Sequence, residues 1–77
     1  MVTFENLVNN IKENNYSYEE AKSMCEHIAG MDIEDYDFAD DWITYSKKGF
    51  GTIVLTKNKK GGIKEIRAWN EDNTFVL

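Results

Sequence analysis

Seventy-seven residues suffice for one hydrophobic core and not for two, because a chain this short buries only about 60% of the surface its unfolded form exposes. With 42% apolar residues, 30% charged residues and a formal charge of −5, the composition is that of a single folded domain over residues 1–77, which excludes a disordered chain. No run approaches the ~20 apolar residues a membrane-spanning helix needs, and Met1-Val2-Thr3-Phe4-Glu5 lacks the basic and then apolar regions of a secretory signal.

Thr3 is placed to cap a first helix whose apolar residues Phe4, Leu7, Val8 and Ile11 recur at the 3.6-residue period. Asn14-Asn15 ends it. Ser17-Tyr18-Glu19-Glu20 fits a capping box, in which a hydroxyl and a carboxylate satisfy backbone donors reciprocally. A second helix should therefore run from Tyr18 to about Ala29, burying Tyr18, Ala21, Met24, Cys25 and Ile28, with Gly30 as its left-handed stop. The segment Met31 to Asp41 reads as irregular, and it is long enough to carry function.

From Trp42 onward, alternation and β-branched residues predict strands at about 42–47, 52–57 and 63–70. Lys48-Gly49-Phe50-Gly51 and Asn58-Lys59-Lys60-Gly61-Gly62 supply the glycines that close hairpins. Glu71-Asp72-Asn73 is a further turn, after which Thr74-Phe75-Val76-Leu77 can pair back as a short fourth strand. The predicted class is α+β: an N-terminal helical hairpin on an antiparallel meander of three to four strands.

Catalytic chemistry finds little here. Cys25 and His27 are the one thiol and the one imidazole, and two residues apart on a helix they point to different faces, so they form no dyad. Cys25 reads as a small core residue and His27 as a surface residue. A structural zinc site wants four Cys or His, twice what the chain holds. The carboxylates of residues 32–41 do not fit a calcium loop, because the places that need a Gly and a bidentate Glu hold Asp37 and Ile43 counting from Asp32, or Asp40 and Ser46 counting from Asp35. We therefore expect no enzyme, no cofactor and no metal. A lone cysteine forms no intrachain disulfide, which makes a reducing cytoplasm the expected compartment.

Charge is the informative feature. Residues 1–41 carry eleven Asp and Glu against Lys12 and Lys22, a net of −9, whereas residues 42–77 carry seven Lys and Arg against Glu65, Glu71 and Asp72, a net of +4. Such a dipole steers a cationic partner toward the acidic end. Within that end, Asp32, Glu34, Asp35, Asp37, Asp40 and Asp41 form a tract in which extended backbone would aim Asp35 and Asp37 the same way at roughly 7 Å, near the spacing of successive phosphates. The tract could occupy a groove built for nucleic acid; the plainer reading is a solvated loop anchored by Ile33, Tyr36 and Phe38 in the core.

Two other surfaces compete with it. If Ile43, Tyr45, Ile53, Leu55, Ile66 and Ala68 face the helices, then Trp42, Thr44, Val54, Glu65, Arg67 and Trp69 face outward, and Trp42, Arg67 and Trp69 are of the types enriched at binding hot spots. That face suits a generic interaction or immunity module, unless the register differs by one or the C-terminal segment covers it. The basic residues Lys47, Lys48, Lys57, Lys59, Lys60, Lys64 and Arg67 accompany Trp42, Tyr45 and Trp69, as in single-strand binders. Direct nucleic-acid binding is disfavoured, however, because the lysine-rich turns lie about 17 Å apart at opposite ends of the middle strand, and the acidic half would repel phosphates.

Short length, the absence of proline, a strongly acidic half, a helical hairpin and a small antiparallel sheet together make a chain that resembles the phage-encoded inhibitors of bacterial defence, anti-CRISPR proteins in particular. The resemblance is one of type, in composition and element order. It implies stoichiometric inhibition of a nucleic-acid-handling complex, such as a nuclease or CRISPR effector with a basic groove, by Asp32, Glu34, Asp35, Asp37, Asp40 and Asp41 in the cytoplasm of a bacterial host.

Overall fold

Helix α1, Phe4–Glu13, starts where the Thr3 hydroxyl accepts from the Asn6 amide at 3.2 Å, and its residues Phe4, Leu7, Val8 and Ile11 are all buried. The computed structural model describes residues 3–77. Helix α2, Tyr18–Ser23, opens on the expected capping box: the Glu20 amide donates to Ser17 Oγ at 3.1 Å and the Ser17 amide to Glu20 Oε1 at 3.2 Å. Both caps satisfy amides that a helix's first turn leaves without partners.

The second helix does not stay regular to Ala29. Residues Met24–Ile28 form a π-helical turn, in which the Ala29 amide reaches back five residues to the Met24 carbonyl at 3.0 Å. A π turn holds more residues per revolution than an α turn, so the residue returned to the core after Cys25 is Ala29. Ile28, expected in the core, is instead 59% exposed. Gly30 then breaks the helix in the left-handed conformation, φ +66°.

Four strands follow as an antiparallel meander in the order β1-β2-β3-β4, with β1 at Asp32–Asp37, β2 at Trp42–Lys47, β3 at Gly51–Lys57 and β4 at Ile63–Asn70. The last three match expectation. The fourth strand lies elsewhere than the chain's end: the segment expected to be irregular forms β1, paired with β2 through Asp32↔Ser46, Ile33↔Tyr45, Asp35↔Thr44, Tyr36↔Ile43 and Asp37↔Trp42, with a bulge at Glu34. Residues Thr74–Leu77 do pair back on β4, though as a bridge and not as a regular strand: Trp69↔Phe75, the Asn70 amide donating to the Thr74 carbonyl at 3.0 Å, and backbone bonds between Ala68 and residues 76 and 77.

Both helices lie on one face of the sheet, α1 against β4 and α2 against β3. Beneath them Ile43, Tyr45, Ile53, Leu55 and Ala68 are buried, and Ile66 packs against the same cluster. Each fully buried Leu or Ile contributes about 1.5–3 kcal/mol, so this layer carries most of the fold's stability. The fit is close at Gly51, where an added Cβ would meet Phe4 Cζ at 2.7 Å. Tyr45 is fully buried, and its hydroxyl donates to the Glu26 carboxylate. Burial, then that hydrogen bond, pushes the phenol's pKa far above its ordinary value.

Candidate protein-binding face

Paired residues on neighbouring strands point to the same side of a sheet, so the register defines what the side away from the helices presents. Its rows run Asp32–Ser46–Thr52–Trp69, Asp35–Thr44–Val54–Arg67 and Asp37–Trp42–Thr56–Glu65. The outward set expected for β2, β3 and β4 is reproduced. β1 extends that face and joins the acidic tract to the Trp and Arg surface. Asp37 stands directly beside Trp42, and three strand spacings, about 14 Å, separate Asp35 from Arg67 across a floor of half-buried Ser, Thr and Val.

The six carboxylates do not act as one row. Asp32, Asp35 and Asp37 share the open face. Glu34 sits at the bulge, outside the register, where the extra residue interrupts the alternation. Asp40 and Asp41 belong to the turn into β2; Asp41 adopts φ +56° and its carbonyl accepts from the Lys57 amide at 2.7 Å. Its charge falls near the Tyr18 phenol, whose pKa is raised by burial first and then by Glu19 and Asp41. Two carboxylates also hold local backbone: Asp37 Oδ1 accepts from the Ala39 and Asp40 amides at 2.8 and 3.2 Å, and Asp35 Oδ1 from the Tyr36 amide at 2.9 Å.

On the opposite margin Arg67 Nε meets Glu65 Oε1 at 2.6 Å in an exposed pair, of a kind worth roughly 0–1 kcal/mol. Trp69 is half-buried, and the Phe75 ring stacks edge-on against it at 5.6 Å. The tail thus covers one end of this face and leaves Trp42 clear of it. The lysines are dispersed: Lys47 donates to the Ala29 carbonyl at 2.9 Å and lies over the Phe50 ring, while Lys57 lies over Tyr18. Lys48, Lys59 and Lys60 project from turns.

The expected core anchors of the acidic segment are not in the core. Ile33, Tyr36 and Phe38 are 49%, 53% and 68% exposed, with the Tyr36 and Phe38 rings 4.6 Å apart. Ile33 and Tyr36 do point to the helix side of the sheet, since their partners Tyr45 and Ile43 are buried there. Helices α1 and α2, however, pack over β4 and β3, so the apolar side of β1 lies beyond them and stays about half exposed. Cys25 is buried, and burial followed by the Glu26 charge pushes its thiol up to about 12, which keeps it a protonated core group.

No group of three or more His, Cys, Asp or Glu among the described residues is arranged to hold a metal ion, and no helix among them is long and apolar enough to cross a membrane. Compared with protein-family models, with curated proteins and with solved structures, the chain has no match.

Proposed function

We propose that this protein is a non-catalytic inhibitor that binds a nucleic-acid-handling protein through the open sheet face, setting the carboxylates of β1 against a basic groove. The observation that carries this reading is the placement of Asp32, Asp35 and Asp37 on one face with Trp42, Arg67 and Trp69. Carboxylates steer and orient a cationic partner, and Trp and Arg supply the desolvated contacts that hold it. Direct binding of nucleic acid is not supported, since Lys47 and Lys57 are engaged in internal contacts and Lys48, Lys59 and Lys60 are scattered over separate turns. The lone, buried thiol suits a reducing cytoplasm.

The test is affinity capture from a bacterial lysate with the wild-type protein and with Asp32→Lys/Asp35→Lys as baits, read by mass spectrometry at low and high salt. Neither residue holds the turn that Asp37 caps, so the variant should keep its melting temperature within a few degrees. Nucleic-acid-binding proteins should be enriched on the wild type alone and should be released by salt. Capture of the same proteins by both baits would reject the acidic face as the binding surface.

A further inference from the structure

In an antiparallel sheet the N–H and C=O of one residue point to the same neighbour, and that direction alternates along the strand. Ala68 donates to the Leu77 carbonyl and accepts from the Val76 amide, so its backbone points off β4, away from β3. Carried through Ala68↔Ile53↔Tyr45↔Ile33 and Ile66↔Leu55↔Ile43↔Tyr36, the alternation leaves the backbone groups of Ile33 and Tyr36 pointing outward from the sheet. Nothing among the described residues pairs with this edge except the Asp35 carboxylate, which takes the Tyr36 amide. The edge is two-sided: on the helix side stand Ile33 and Tyr36 with Phe38 beyond them, half-exposed or more, and on the open side stand Asp32, Asp35 and Asp37.

We propose that the free edge of β1 receives a short extended segment of the partner protein, added as a fifth strand, in which Lys or Arg alternates with apolar residues. This rests on the reading of the acidic face given above and names the partner's chemistry. Main-chain bonds to Tyr36 would replace the bond its amide donates to Asp35, freeing that carboxylate for a cationic side chain, while the alternate apolar residues cover Ile33, Tyr36 and Phe38. The bulge at Glu34 interrupts regular pairing between Ile33 and Asp35, so the added strand is short. A second copy of the chain is a poor occupant, because two β1 edges would set Asp35 and Asp37 near their own counterparts, and like charges facing each other across strands are destabilising.

Three ten-residue synthetic peptides distinguish the outcomes: strictly alternating Lys and Val, the same residues in two blocks, and alternating Glu and Val. With the isotope-labelled full chain, the alternating Lys peptide should bind at least tenfold tighter than the blocked one and slow amide exchange at Tyr36; the Glu peptide should not bind. Ile33→Lys/Tyr36→Lys should lower that affinity at least tenfold at unchanged melting temperature. Equal binding of the blocked peptide would overturn strand addition in favour of bare charge attraction. Protection at β4, or a dimer formed through β1 in sedimentation, would overturn it as well. If partner capture depends on Asp32 and Asp35 while the alternating peptide fails to bind, the acidic face stands and the added strand does not.

Discussion

The two edges of this sheet solve the same physical problem in opposite ways. An edge strand exposes unpaired backbone groups and apolar side chains that invite unwanted pairing. At β4 the chain closes its own edge: the Ser17↔Gly62 bridge covers one end and residues 74–77 the other, where Val76 and Leu77 pack on the core. At β1 the edge stays open, protected by a bulge and by carboxylates. The contrast teaches that stability has been invested at one margin and accessibility kept at the other.

Three perturbations test that contrast. The largest effect is expected from alkaline pH, which attacks the core under β2 beside the open edge. The Cys25 thiol is pushed from 9.0 up to about 12, so between those values the unfolded chain has lost a proton that the folded chain keeps. Stability contributed by the protonated thiol is complete below pH 9 and is lost as pH rises toward 12, by on the order of 3 kcal/mol at pH 11. Tyr45, raised in the same direction, adds to the fall above about pH 10. Urea midpoints at pH 8 and pH 11 should show the drop, and Cys25→Ala should make it smaller.

Next comes the closed edge. Deleting residues 74–77 exposes the part of the core that Val76 and Leu77 cover and frees the backbone of Ala68, so a loss of about 2 kcal/mol is expected, with self-association visible in sedimentation. A deletion that leaves both the urea midpoint and the monomeric state intact would show that the tail is no seal. The smallest effect belongs to the open edge: Ile33→Lys should change stability by less than about 0.5 kcal/mol, whereas Ile66→Lys, packed against the core on β4, should cost at least about 2 kcal/mol. Equal costs for the two would erase the distinction between the margins.

Much of the fold was legible because local chemistry and the hydrophobic period agreed. The capping box at Ser17 and Glu20, the left-handed glycines Gly49 and Gly61, and the alternation through Ile43, Tyr45, Ile53 and Leu55 each pointed to the element that forms. β1 is not legible in the sequence, for a physical reason. Its two helix-side residues, Ile33 and Tyr36, are three positions apart, and only the extra residue at the Glu34 bulge lets both face the same side of a strand. Four of its six residues, Asp32, Glu34, Asp35 and Asp37, are acidic and of low strand propensity, which reads as a loop. The candidate face was half legible: the Trp and Arg residues followed from alternation, but their union with the aspartates depends on where β1 docks. Ile28 was misplaced because no residue type announces a π turn.

That widened turn between Met24 and Ala29 is also a built-in spare: it holds about one amino acid more than a regular spiral of the same rise. Excising a single codon there would let the coil tighten without shortening its reach to Gly30, exchanging which aliphatic group is submerged. A one-residue change of length at this point would therefore be absorbed as a local rotation of the coil, leaving the sheet beneath it standing.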